Sequence, residues 1–194
     1  MAQAFTAEQR EHIRGRLICG ARRFALNPGP QKTSLEMLTG EAGISKSSFY
    51  KFFESKEQLF LIVADDWERQ VISQALHTLA EKPDRSDRQR AADMILAAFT
   101  SIHEMGIARF LMEDLPRLIE SAPEGRVRER YLSSSERIFA TMKEAHIRFS
   151  VPDETVLSII RMLYLSVLHI RQIGPSYFPA LHTLVEGAFL RLIP

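Results

Sequence analysis

Residues 33–60, TSLEMLTGEAGISKSSFYKFFESKEQLF, pack three helix starts and one helix stop into 28 residues. Thr33 and Glu36 have the spacing of a capping box, in which a hydroxyl and a carboxylate three residues apart satisfy the free N–H groups of a helix start. Leu35, Leu38 and Ala42 then share one helical face. Gly43 supplies the left-handed backbone that stops the helix. Ile44 plugs the turn and Ser45 caps the next helix. Ser55 with Gln58 repeats the capping spacing at a third. The pattern predicts two short helices joined by a tight turn and followed by another helix, a helix-turn-helix.

The second of these helices, over 45–53, divides by spacing. Phe49, Phe52 and Phe53 fall at i, i+3 and i+4 and face inward, whereas Lys46 with Tyr50 and Ser47 with Lys51 form i, i+4 pairs on the outer side. Ammonium groups and a phenol reach phosphates, and short hydroxyls near a helix start approach base edges closely. The helix start adds free N–H groups and a positive dipole end. Charge is distributed to match. Residues 1–56 carry nine Lys/Arg against five Asp/Glu, while the remainder carries 16 against 19 and leaves the chain at +1. A basic head on a mildly acidic body suits nucleic-acid contact by the head.

Ala42-Gly43-Ile44-Ser45, then Phe49-Tyr50, Phe52-Phe53 and Ser55-Lys56-Glu57, resemble the DNA-binding domain of the TetR family of bacterial repressors, over about residues 6–65. The resemblance implies a homodimer that binds double-stranded operator DNA and a helical body that holds a small hydrophobic effector. Carried onto this chain, Lys46, Ser47 and Ser48 are the expected base or near-base contacts beside the cap Ser45. Thr33, Tyr50, Lys51 and Lys56 are the expected phosphate contacts. Ser47 stands where the family usually has glycine.

No segment alternates as a strand does, so an all-α fold of about nine helices is expected. A helix over 6–26, capped by Thr6 and Gln9, carries Ile13, Leu17, Ala21 and Phe24 inward. Its arginines read either as solvated surface or as phosphate contacts. Asn27-Pro28-Gly29-Pro30 ends it. A long helix over 55–82 links the head, residues 1–54, to a body, residues 55–194, expected to bind effector and to dimerise. Further helices are expected over 87–105, 107–121 (interrupted at Pro116), 126–149, 152–173 and from Pro179 onward.

Helix 152–173 is apolar almost all round and needs cover on two sides. With the last helix it makes a natural four-helix interface between two copies, through Ile160, Leu163, Val167, Leu181, Leu184, Val185, Ala188 and Phe189. The alternative is that both helices close the subunit's own core. Trp67, Phe99, His103, Phe110, Tyr131 and Tyr164 are the candidate effector-binding residues, with ordinary core packing as the other reading of each. Arg109 and Glu113 read as an exposed i, i+4 pair, and Asp114 as solvated.

The single cysteine, Cys19, and the absence of an apolar run of membrane-spanning length fit a reducing cytoplasm with no membrane partner. Six histidines without an i, i+4 pair or a cysteine cluster offer no metal site. No cofactor motif and no nucleophile motif is present, so the chemistry points away from an enzyme. Two other functions stay open: a DNA-binding regulator governed by a partner protein, and an all-α enzyme that retains the head.

Overall fold

The structure is a computed structural model that describes residues 5–81, 84–121 and 134–194. All regular elements among these residues are helices. They are α1 (Ala7–Leu26), α2 (Leu35–Ala42), α3 (Lys46–Phe49), α4 (Lys56–Glu81), α5 (Asp87–Glu104), a π-helical turn (Phe110–Asp114), α6 (Leu115–Ser121), α7 (Ser134–Glu144), α8 (Asp153–Val167), α9 (Ile170–Ile173) and α10 (Tyr177–Leu192). The all-α expectation holds. None of the helices is long and apolar enough to cross a membrane, among the described residues. Contacts divide the chain into two compact units, Met1–Asp66 with Arg109–Glu129, and Trp67–Ala108 with Arg130–Pro194.

In the first unit, α1 opens as its spacing predicts: the Thr6 hydroxyl accepts from the Gln9 N–H, and the Gln9 side chain accepts from the Thr6 N–H. Ile13, Leu17, Gly20, Ala21 and Ala25 are buried against neighbours that include α2, while Phe24 is only half-buried. The chain leaves α1 through a cis Asn27–Pro28 bond and Gly29, whose φ of +101° no side chain tolerates well. The cap of α2 is Ser34 rather than Thr33. The Ser34 hydroxyl accepts from the Met37 N–H, and the Met37 sulfur takes the acceptor role expected of Glu36. Gly43, at φ +67°, ends α2 in the left-handed conformation, and Ser45 caps α3.

Helix α3 is shorter than the expected 45–53. Beyond Phe49 the bonds tighten to three-residue spacing, Lys51 N–H to Ser48 O and Phe52 N–H to Phe49 O, so the backbone continues as turns. Phe49 and Phe53 are nonetheless buried, with ring centroids 5.8 Å apart, and Phe52 is half-buried.

Pro116 does more than interrupt a helix. Without an N–H it cannot close the bond to the Met112 carbonyl, and its ring crowds that group. The backbone just upstream widens into the π turn, where Leu115 N–H bonds to Phe110 O, five residues back. That spacing brings residue i+5 over residue i. Arg109 therefore pairs with Asp114 at 3.0 Å instead of with Glu113.

The second unit packs α5 against α10 and α7 against α8. Ala91, Ile95, Phe99 and Ile102 form the buried stripe of α5, which starts at a Ser86–Gln89 capping box. Helix α7 ends at Glu144, short of the expected 149, because His146 takes a positive φ of 61°. The expected start of this helix at 126 lies outside the described residues. Helix α8 likewise stops at Val167 and not 173, and a turn separates it from the short α9.

Candidate nucleic-acid interface

Buried aromatic rings hold the outer face of α3 in place. Phe49 and Phe53 enter the interior, and Tyr50, set edge-on to Phe49 at 5.6 Å, points its phenol outward. Lys46, Ser47 and Lys51 are exposed and Ser48 is half-buried. The Ser45 hydroxyl caps the Ser48 N–H and lies 3.0 Å from the hydroxyls of both Ser47 and Ser48, so three hydroxyls cluster at the head of the helix. Lys46 pairs with Glu36 of α2. The Lys51 ammonium stands 5.5 Å from the centre of the Phe5 ring, and the Lys51 carbonyl accepts from Arg10 of α1. Arg10 and Arg14 also lie over Phe52 and Phe53, so these two arginines buttress α3 from behind.

Two of the expected phosphate contacts are occupied within the fold. Thr33 is 1% exposed and its hydroxyl donates to Gly29 O at 2.8 Å, which removes it from the outer surface. The Lys56 ammonium donates to Pro30 O at 3.1 Å and Thr33 O at 2.8 Å, tying the start of α4 to the loop ahead of α2. One of its three donors is left over.

Five of the six effector candidates lie among the described residues. Trp67, Phe99 and Tyr164 are buried in the second unit, Phe99 and Tyr164 as an edge-to-face pair at 5.6 Å. Phe110 is buried in the first unit. His103 is exposed on α5, its ring 5.0 Å from that of Phe178, because the turn of α5 that carries Phe99 and Ile102 inward carries residue 103 outward. Tyr131 lies outside the described residues. A groove of about 390 Å³ in the second unit is lined by polar side chains such as Gln74, Thr78 and Glu104, and by none of the candidates.

The eight dimer candidates separate by face. Ile160, Val167, Leu181, Val185 and Phe189 are buried within the subunit, Leu163 and Ala188 are half-buried, and Leu184 is exposed. Exposed apolar chains accompany it: Met162 at 64%, Leu165 at 56%, Leu184 at 62% and Leu190 at 60%. At 100° per residue, Met162 and Leu165 lie on the side of α8 opposite Ile160 and Tyr164.

Residues 17–63, which hold α2, α3 and their flanking helix ends, match the family model for bacterial regulatory proteins of the tetR family. This segment carries the tetR-family helix-turn-helix. The chain is 31% identical over 114 residues to the nucleoid occlusion factor SlmA of Shewanella sediminis, a stretch that covers 59% of this chain and 55% of that protein. It thus spans about half the length of that relative. Its fold is similar to that of a TetR-family transcription regulator from Shewanella sp. PV-4, with a TM-score of 0.67 at 16% identity, covering 94% of this chain and 99% of the other. It is also similar to RolR in complex with resorcinol, with a TM-score of 0.58 at 19% identity, covering 94% and 90%.

Several charge pairs escape sequence reasoning because their partners meet only in the folded chain. Among them are Glu36–Lys46, Arg109–Asp114 and Glu68–Arg137, the last at 3.2 Å with Glu68 buried in the second unit. Pro116 was the one available signal for the second pair. Asp114 is buried, not solvated, and its burial outweighs the nearby Arg109 guanidinium and holds its pKa above the ordinary aspartate value. The folded state therefore keeps the Asp114 proton to higher pH than the unfolded chain does. Stability from this group is gained as pH falls through the folded pKa and lost as pH rises. We expect Asp114→Asn to be the more stable protein at pH 7, with its advantage shrinking between about pH 7 and 4, as thermal denaturation across that range would register.

Proposed function

We propose that the chain is a homodimeric repressor that leaves its operator when a small hydrophobic ligand binds its body. Residues 1–54 serve as the DNA-binding domain and 55–194 as the effector-binding and dimerisation domain, in a cytoplasmic protein that catalyses no reaction. The observation that carries the proposal is the outer face of α3, where Lys46, Ser47, Tyr50 and Lys51 stand in solvent over a core of Phe49 and Phe53. Lys46, Ser47 and Ser48 approach base edges, and Tyr50, Lys51 and the remaining donor of Lys56 hold phosphates. Two such heads must address successive turns of the groove, about 34–36 Å apart or a multiple of that. The exposed apolar chains of α8 and α10 support pairing of two copies through these helices.

Ligand acts by differential affinity: it favours a separation of the two heads that mismatches the operator, so ligand and DNA each weaken the other's binding. Within the first unit, Arg109 braces the end of α1. After α4 and α5 the chain re-enters the first unit at this residue, whose guanidinium lies 3.4 Å from the Ala25 and Leu26 carbonyls at the end of α1. A cation there complements the negative end of the helix. A Cβ on Gly29 would stand 3.2 Å from the same guanidinium, so the loop leaves room for it.

Lys51→Ala is expected to weaken binding to all sequences similarly and to reduce the magnitude of the salt slope by about one unit, as titrations at several salt concentrations would measure. A change in base preference with an unchanged slope would remove Lys51 from the phosphate contacts. The test of the whole proposal is selection of bound fragments from the source genome, with and without a panel of hydrophobic compounds. Enrichment of a two-fold symmetric site that one compound class abolishes is the expected result.

The likeness to a nucleoid occlusion factor favours a second reading, in which the body answers to a partner protein and no small ligand is involved. Sites dispersed along the chromosome and insensitive to every compound would select it.

A further inference from the structure

Glu36 is a carboxylate beside a surface that has to meet a polyanion. The cap of α2 is formed by Ser34 and Met37, so Glu36 is not needed at the helix start, and its side chain turns to the ammonium of Lys46, the first residue of α3. Both members of the pair are more than half exposed. An ion pair so exposed contributes only about 0–1 kcal/mol to a fold, so stability does not account for it. Elsewhere in the head, Glu41 is engaged by Arg23. Among the described ion pairs, Glu36 is the acid that addresses the reading helix.

An acceptor and a donor held side by side complement a G·C pair in the major groove, where guanine presents the O6 and N7 acceptors and cytosine the N4 amino donor. We propose that Glu36 is a specificity-determining residue that reads one G·C pair per half-site together with Lys46. Lys46 donates to guanine O6 or N7, and Glu36 accepts from cytosine N4. The carboxylate also keeps Lys46 off the phosphates, exchanging non-specific affinity for discrimination. This inference rests on the DNA-binding proposal above.

The test is selection from random duplexes with the full chain, run for the wild type, Glu36→Gln and Lys46→Met, followed by salt titration on the selected site and on bulk DNA. Wild-type sites are expected to share a G·C pair at one position of each half-site. Glu36→Gln should lower discrimination at that position about tenfold, within the range for losing one well-made base contact. It should also bind bulk DNA several-fold more tightly, with a salt slope steeper by about one unit as Lys46 turns to a phosphate. Lys46→Met should lose preference at the same position. If Glu36→Gln tightens binding to all sequences equally and keeps every base preference, Glu36 is a repulsive surface charge and the inference fails. It fails as well if the two variants lose preference at different positions. A wild type that enriches no sequence would instead overturn DNA reading itself.

Discussion

Leu184→Glu is expected to convert the protein to a monomer and to weaken operator binding by about 10²–10⁴-fold, the range over which linked sites exceed a single one. The side chain is 62% exposed in the isolated subunit, so the substitution leaves the subunit's own core untouched. Buried Leu181, Val185 and Phe189 continue to hold α10 in place. In a two-fold assembly the same residue occurs twice in one interface, so one substitution brings two carboxylates into an apolar contact. Met162, Leu165 and Leu190, the other exposed apolar chains of α8 and α10 named above, carry no charge to offset them. Size-exclusion chromatography with light scattering measures the first effect, and titration of a palindromic operator against its half-site measures the second. A Leu184→Glu protein that stays dimeric and keeps wild-type affinity would move the interface away from α8 and α10.

Phe49→Ala is expected to destabilise the first unit by about 3–5 kcal/mol, the usual range for a fully buried phenylalanine. The ring is fully enclosed and touches Tyr50 edge-on and Phe53 at a tilt. Helix α3 has only four residues, too few to form without tertiary support, so the ring carries much of what holds the reading face in position. DNA binding should therefore disappear along with the stability. Urea denaturation is the measurement, and unfolding of the second unit should be little changed. A variant that loses stability but still binds operator at low temperature would show that α3 is set by its cap and by Phe53.

Much of the head is legible in the residue order because its signals are local. The Thr6 and Ser45 caps bond to N–H groups three residues ahead, and Gly43 stops α2 through its own φ. Such features need no distant partner. Thr33 and Ser34 show where local reasoning reaches its limit. Either hydroxyl suits a helix start, and the choice fell to Ser34 because the Thr33 hydroxyl is drawn inward to the Gly29 carbonyl. Glu36, displaced from the cap, then found Lys46.

The body divides the same way. Spacing identified the apolar stripes of α5, α8 and α10. It did not distinguish residues such as Val185, which fill the subunit's interior, from Leu184, which stays in solvent, since periodicity marks a face without naming what covers it. It also sets Arg109 opposite Glu113, the pairing of a 3.6-residue helix, where Pro116 forces a wider turn. Helix starts, stops and stripes follow from bonds between residues three or four apart and are written in the order of the chain. Pairings such as Arg109–Asp114 and Glu36–Lys46, and the burial of Asp114, depend on where packing leaves space and excludes water, which only the folded arrangement decides.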